Sequence, residues 1–134
     1  MGVLTLMLVD PDPDGQRQLL RLLSIREHRV VPVPVEEAAD LVQRLRFAAV
    51  LWAIRPGASR WDEFQERIRA HVSSFVLVSD GHDPAFARSL EERGGFLLCR
   101  PIRESELDDI LQKINNLHCA ANCLNTNGRI PPLR

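Results

Sequence analysis

Short apolar runs alternate with amphipathic segments along most of the chain. Apolar runs of this length are suited to buried strands, because helices cover both faces of a parallel sheet. Five segments fit that description, and they lie at Leu4–Val9, Arg29–Val35, Ala48–Trp52, Ser74–Ser79 and Phe96–Cys99. The second segment carries prolines at positions 32 and 34, which cannot donate to a β ladder, so it is predicted to be an edge strand.

An amphipathic segment follows each apolar run and predicts a helix. Asp12 and Pro13 can start the first helix as an N-cap and a first-turn proline, and this helix is expected to end near Ile25. The other predicted helices cover Glu36–Arg46, Trp61–Val72, Pro84–Arg93 and Arg103–Leu117. Five strands alternating with helices predict an α/β fold, an open five-stranded parallel sheet that is doubly wound, with helices on both faces.

Residues 118–134 lack the apolar periodicity of the segment before them. We therefore expect a folded domain at residues 1–117 and a linker or disordered tail at residues 118–134. The chain has 134 residues, of which 45% are hydrophobic and 26% charged, and that is enough for one domain with its own core.

Charge and composition exclude several classes of function. The net charge is −1, whereas a protein that binds nucleic acid directly usually has a basic surface. No apolar run approaches the roughly 20 residues that cross a membrane, and the first residues lack the pattern of a signal peptide. The three cysteines are an odd number, which favours reduced thiols and a cytoplasmic location.

Functional residues of an open parallel sheet lie beyond the carboxyl ends of its strands. Here these positions comprise Asp10 and Asp12, the loop at residues 52–57, Ser79 and Asp80, and Arg100 and Pro101. No carboxylate occurs at residues 41–61, so the third strand ends without an acid.

Three stretches carry a resemblance to a known family, and their order and spacing matter more than any one of them. They are LMLVDPDPDGQRQLL at residues 6–20, VLVSD at residues 76–80 and ERGGFLLCRPI at residues 92–102. Through them, residues 4–115 resemble the receiver domain of two-component response regulators. The resemblance implies the flavodoxin-like, CheY-like fold.

In that family, two adjacent acids after the first strand hold Mg²⁺ and an Asp after the third strand accepts a phosphoryl group. A Ser or Thr ends the fourth strand, and a Lys before a cis-proline pairs with the phosphate. By this resemblance, Ser79 stands at the switch position and Arg100, before Pro101, replaces the Lys. Asp10 is the first acid, and Pro11 stands in place of the second.

The phosphoacceptor position falls on Ala53 by the strand pattern, or on Trp52 if Pro56 and Gly57 are aligned without a gap. Neither side chain can be phosphorylated. The resemblance therefore implies a pseudo-receiver that keeps the fold and lacks phosphotransfer. No cofactor is expected and no metal site, apart from a residual one at Asp10 and Asp12, where Asp12 is the expected N-cap and Asp10 is expected to pair with Arg100.

The first functional hypothesis is a regulatory module that works without phosphorylation, by contact with a protein partner, with its own output domain or with a second copy of itself. The family uses the surface of the fourth helix, fifth strand and fifth helix for such contacts, and the corresponding candidates here are Arg88, Arg93, Leu97, Arg103 and Leu107. The module is then expected to be the N-terminal regulatory domain of a transcription regulator or sensor kinase.

The alternative is a sensor that binds a small ligand in the vacated pocket, between walls formed by Ala53 and Trp52. No nucleophile–base pair is visible, so an enzyme is not expected.

Overall fold

Strands and helices alternate through the part of the chain that the computed structural model describes, which is residues 3–53, 61–72, 74–80 and 84–129. The strands are β1 (Thr5–Val9), β2 (Arg29–Pro32), β3 (Ala49–Ala53), β4 (Ser74–Asp80) and β5 (Gly95–Arg100). The helices are α1 (Pro13–Ile25), α2 (Val35–Arg44), α3 (Trp61–Ile68), α4 (Pro84–Glu92) and α5 (Glu104–Arg129). Pro56 and Gly57, on which the alternative alignment of the phosphoacceptor position depends, lie outside the described residues.

All neighbouring strands are parallel, and their order in the sheet is β2-β1-β3-β4-β5. This order reverses direction after β1, so the carboxyl ends of β1 and β3 flank the point where a doubly wound sheet binds its ligands. The predicted fold class is confirmed. No helix in the described ranges is long and apolar enough to cross a membrane.

Strand β2 forms one edge of the sheet, as its prolines predicted. It is held to β1 by backbone hydrogen bonds from Arg29 N to Leu4 O and from Val33 N to Leu8 O, each 2.9 Å long. Pro34 does not belong to the strand and instead precedes the first residue of α2 as its N-cap.

The core consists of one apolar layer on each face of the sheet, because successive strand residues point to opposite faces. One layer contains Leu6, Leu8, Ala53, Val76, Val78 and Leu98 with residues of α1 and α5. The other contains Met7, Val9, Val50, Phe75 and Leu77 with residues of α2, α3 and α4. We call these the α1/α5 face and the α2–α4 face. They decide which residues at the strand ends can meet.

Helix α5 is longer than predicted and ends at Arg129 rather than near Leu117. Its apolar residues Leu107, Ile110, Leu111 and Ile114 are buried in the core. The sequence after Leu117 lacks an apolar stripe, yet the helix continues, since extending an existing helix is much easier than nucleating one. The separation of a domain at residues 1–117 from a linker at residues 118–134 stays a prediction.

His28 is a buried polar group that supports the start of β1. The residue is 7% exposed, and its Nδ1 atom accepts a hydrogen bond from the backbone N–H of Leu4 at 3.1 Å. Burial lowers the pKa of His28, and the positive charge of Arg26 lowers it further. The neutral imidazole is therefore part of the folded structure.

Candidate functional site at the carboxyl ends of the strands

Arg100 and Asp10 form an ion pair at the carboxyl end of the sheet. Nη2 of Arg100 lies 3.3 Å from Oδ2 of Asp10, and the side chain of Asp10 is 1% exposed while that of Arg100 is 23% exposed. The other end of the guanidinium, Nη1, lies 3.5 Å from Oδ1 of Asp80, which is 58% exposed. The predicted pair is confirmed, and Asp80 joins it as a second carboxylate.

Strand alternation explains why Asp80 and Arg100 meet. Ala53, Val78 and Leu98 lie in the core layer of the α1/α5 face. Asp80 and Arg100 are two residues beyond Val78 and Leu98, so they point to the same face. They are also register partners in the pairing of β4 with β5.

Asp12 caps helix α1, as predicted. Its Oδ2 atom accepts a hydrogen bond of 3.2 Å from the backbone N–H of Gly15, and Pro13 occupies the first turn. The backbone N–H of Asp12 donates to Oδ1 of Asp10 at 2.9 Å. One oxygen of Asp10 thus accepts from the backbone and the other faces Arg100, which is how a buried carboxylate is stabilised.

Gly15 lets helix α1 approach the ion pair closely. A Cβ atom at this position would lie 2.7 Å from Oδ2 of Asp10 and 3.2 Å from Nη2 of Arg100. Any larger residue would displace the carboxylate or the guanidinium. Sequence reasoning missed this glycine, although its position three residues after the capping Asp12 is the available signal.

Ala53 lies at the end of β3 on the same face as the ion pair. It is 4% exposed and its register partner on β4 is Val78. Trp52 points to the opposite face, where its ring centroid lies 4.3 Å from that of Phe64. The expectation that Trp52 walls the same pocket as Ala53 is therefore wrong, because neighbouring strand residues face opposite ways.

Ser79 also lies on the α2–α4 face and forms a hydrogen bond with the side chain of Cys99, its register partner on β5. Burial raises the pKa of the Cys99 thiol, the charge of Glu106 raises it further, and the hydrogen bond with Ser79 opposes both. Pro101 follows Arg100 through a cis peptide bond and is exposed. The structure thus joins Asp10, Asp12 and Arg100 directly, whereas Ser79 is turned toward Cys99.

The predicted contact residues have different surroundings. Arg88 and Arg103 are exposed, and Leu97 is half-buried against the α2–α4 core layer. Nη2 of Arg93 lies 3.7 Å from Oε2 of Glu66. Leu107 requires a correction, because it is 1% exposed and packs in the core, where it supports the surface from beneath.

A second ion cluster, which the sequence did not suggest, joins α1 to α5. Nε of Arg26 lies 2.6 Å from Oδ1 of Asp108, and Nη2 lies 2.9 Å from Oε1 of Glu104. The hydrogen bonds that Arg26 donates, first to Asp108 and then to Glu104, raise the pKa of Arg26, and the bond from Arg26 lowers the pKa of Asp108. The partners are 82 and 78 residues apart, so only the fold brings them together.

Metal-ligand clusters are not found among the residues that the structure describes. No three His, Cys, Asp or Glu side chains in these ranges are close enough to hold an ion. At the ion pair, the guanidinium of Arg100 stands between the carboxylates of Asp10 and Asp80. A cationic group at this position opposes the binding of a second cation.

Neither a protein-family model nor a curated protein matches this sequence. Solved structures do match. NtrX from Brucella abortus is 16% identical with a TM-score of 0.72, and the match covers 92% of this chain and 29% of that one. The chain thus spans less than a third of NtrX.

Two further matches cover almost the whole of smaller proteins. The signal receiver domain of a modulated diguanylate cyclase from Desulfovibrio desulfuricans is 19% identical with a TM-score of 0.71, over 90% of this chain and 99% of that one. The chemotaxis response regulator CheY4 of Vibrio cholerae is 16% identical with a TM-score of 0.64, over 84% of this chain and 99% of that one. The chain therefore has the CheY-like fold of response-regulator receiver domains.

Proposed function

We propose that this chain is a receiver-type signalling module of a two-component system that does not accept a phosphoryl group. The observation that supports the proposal is the ion pair between Arg100 and Asp10 beside Ala53. In the receiver family an aspartate follows the third strand, and here the residue on the matching face is an alanine.

The chemistry of phosphotransfer gives the proposal its physical basis. A carboxylate nucleophile attacks the phosphorus, and a divalent cation offsets the negative charge of the incoming group. The methyl group of Ala53 has no atom that can attack. Asp10 pairs with Arg100 and accepts a hydrogen bond from the N–H of Asp12. Asp10 would have to break these contacts before it could attack a phosphorus atom.

The pairing also changes what Arg100 does. A basic residue before Pro101 would pair with the phosphate in a phosphorylated receiver, and here it binds Asp10 and Asp80. We infer that the pair holds the carboxyl end of the sheet in a single state. The module then works without a cofactor and without catalysis.

Regulation by protein contact is the remaining route. The exposed residues Arg88 and Arg103, with the half-buried Leu97 between their elements, form the proposed contact surface for a partner, an output domain or a second copy of the chain. Glu91 and Glu92 of α4 are exposed and carry the opposite charge, and mixed charges at such a surface permit self-complementary pairing across a two-fold axis. In this proposal the module is the N-terminal regulatory domain of a cytoplasmic transcription regulator or sensor kinase, and it contacts neither nucleic acid nor membrane directly.

The alternative of a ligand sensor at the vacated pocket is less well supported. Helix α1 approaches the ion pair so closely at Gly15 that an added methyl group would meet Asp10 at 2.7 Å. Trp52 is on the opposite face and cannot form the expected wall.

The test is incubation of the whole chain with acetyl phosphate and Mg²⁺, followed by intact-mass measurement. A receiver domain with its acceptor aspartate serves as the positive control. We expect the mass of this chain to stay unchanged while the control gains one phosphate. An acid-labile phosphate adduct on any aspartate of this chain would refute the proposal.

A further inference from the structure

Helix α5 has a side that no other described helix covers. Arg26 of α1 bonds to Glu104 and Asp108, so these two residues mark the side of α5 that faces α1. Glu106 is two residues from each of them, about 160° around the helix axis, and therefore points away from α1. Since α1 and α5 are the described helices of this face and β5 is the last strand of the sheet, the side of α5 at Glu106 is open.

A stripe of four residues runs along this open side. Glu106, Ile110, Lys113 and Leu117 are separated by four, three and four positions, so they share one face of the helix. Glu106 and Lys113 are exposed, Ile110 is buried, and Leu117 is an apolar side chain that is 44% exposed. Nζ of Lys113 lies 5.9 Å from the ring centroid of Phe96 on β5, which places the stripe beside the edge strand.

The two charges of the stripe have no ionic partner within the described part of the chain. Glu106 and Lys113 are seven positions apart, which is about 10 Å along a helix that rises 1.5 Å per residue, so they cannot pair with each other. Neither of them takes part in an ion pair with another described residue. Both charges are therefore available to a second molecule.

We propose that two copies of this chain associate through α5, with the two helices antiparallel and related by a two-fold axis. An alignment that brings Glu106 of one copy opposite Lys113 of the other also forms the reverse pair, because the axis repeats every contact. The axis then passes next to Ile110. The same alignment places exposed Leu117 opposite Ile102, which is half-buried just before α5. A single alignment thus pairs both charges and covers the exposed leucine.

This inference rests on the proposed function and deepens it, since it names a second copy of the chain as the partner of the contact surface. Charge pairs at the rim of an interface determine its alignment and specificity more than its affinity. The competing interpretation is that this side of α5 stays in contact with solvent, because exposed charges are common on surface helices.

The test is sedimentation equilibrium of the whole chain and of charge variants. Lys113→Glu and Glu106→Lys each replace two attractive contacts by two repulsive ones, so we expect Kd of the dimer to rise about tenfold or more. The double variant, with both substitutions in one chain, exchanges the charges and should return Kd to within about threefold of the unaltered value. Gln112→Glu, at an exposed position on another side of α5, is the matched control and should leave Kd unchanged.

An equimolar mixture of the two single variants gives a sharper test. One variant carries two glutamates in the stripe and the other carries two lysines, so each repels itself and attracts the other. We expect native mass spectrometry to show the mixed dimer in excess over both self-dimers. Formation of the mixed dimer also shows that both variants are folded.

Two kinds of result would overturn the inference. An unaltered chain that remains monomeric at every concentration would show that α5 has no partner in a second copy. A dimer whose Kd is insensitive to the single variants, or a mixture without preference for the mixed dimer, would show that the contact does not use this stripe. Labelling with acetyl phosphate tests the proposed absence of phosphotransfer separately, because it does not depend on these two charges.

Discussion

Nη2 of Arg100 lies 3.3 Å from Oδ2 of Asp10, a carboxylate whose side chain is 1% exposed. The two residues are 90 positions apart and close the carboxyl end of the sheet between β1 and β5. This contact determines what the end of the sheet can bind and how the fold responds to charge changes.

Removing the cation should destabilise the fold. Arg100→Gln takes a charge partner from a carboxylate that is almost fully buried, and we expect a loss of about 2 kcal/mol in the free energy of unfolding, less than for a fully buried pair because Arg100 is partly exposed. Urea denaturation measures the change. Adding Asp10→Asn to Arg100→Gln should recover part of the loss, since the buried charge is then gone.

The exposed pair of Arg17 with Asp14 supplies the matched control, with side chains that are 80% and 89% exposed. Arg17→Gln should change the free energy of unfolding by no more than roughly 0.5 kcal/mol. An equal effect of Arg17→Gln and Arg100→Gln would mean that the Asp10 pair has no special importance for stability.

Magnesium should bind only weakly to the unaltered chain, with a dissociation constant above the millimolar range. Mg²⁺ needs several oxygen ligands in near-octahedral geometry, whereas Arg100 already pairs with Asp10 and Asp80. Arg100→Gln should strengthen binding several-fold, because the carboxylates then lose a competing cation. Calorimetric titration of both proteins checks this, and millimolar or tighter binding by the unaltered chain would contradict it.

Self-association should use the surface formed by α4, β5 and α5. Charge reversal of exposed Arg88 or Arg103 to Glu is expected to weaken a dimer about fivefold in Kd, as for the loss of one ion pair at the rim of an interface. Arg29→Glu, on the opposite edge strand β2, is the control and should have no effect. Sedimentation equilibrium decides the matter. A chain that stays monomeric at every concentration would contradict self-association, and equal effects of all three variants would place the contact elsewhere.

Stability should fall as the pH drops below 6.5, through His28. The folded-state pKa of His28 lies below the ordinary value of 6.5, chiefly because of burial. Above pH 6.5 the imidazole of His28 is neutral in both the folded and the unfolded state, and its contribution to the free energy of unfolding is fully present. Between 6.5 and the folded-state pKa only the unfolded state binds the proton, so the free energy of unfolding decreases with decreasing pH.

His28→Gln should flatten this part of the pH dependence, and the substitution of exposed His71 by Gln should leave it as in the unaltered chain. Urea denaturation at pH 5, 6 and 7 gives the comparison. A pH profile that is the same in His28→Gln and the unaltered chain would assign the effect to other groups.

The sequence predicted the order of elements, the edge position of β2, the N-cap at Asp12 and the pair of Arg100 with Asp10. The first three follow from local rules, namely apolar periodicity, proline chemistry and helix capping, whereas the pair of Arg100 with Asp10 was expected from the resemblance to receiver domains. The sequence did not predict Asp80 as a partner of Arg100. The predicted strand ended one residue earlier, whereas β4 includes Asp80, and the alternation of the strand then directs this carboxylate to the face of Arg100.

Other features of the site depend on packing between distant elements. Nothing in the pattern of positions 52 and 53 alone identifies which residue faces Asp10, and the register with Val78 is required to place Ala53 there. The cluster of Arg26 with Glu104 and Asp108 arises where segments far apart in sequence meet. Their chemistry is visible in the sequence, but their proximity is not.

The two edges of the sheet differ in a way that bears on assembly. Arg29 and Val33 donate their backbone N–H groups inward to β1, so by alternation the nitrogen of Pro32 lies on the outward side, where it has no hydrogen to offer. A strand from another molecule would find a donor missing on that side. The addition of a further strand is thus hindered at the β2 edge, and the opposite edge, β5, is better suited to contact with a neighbouring molecule.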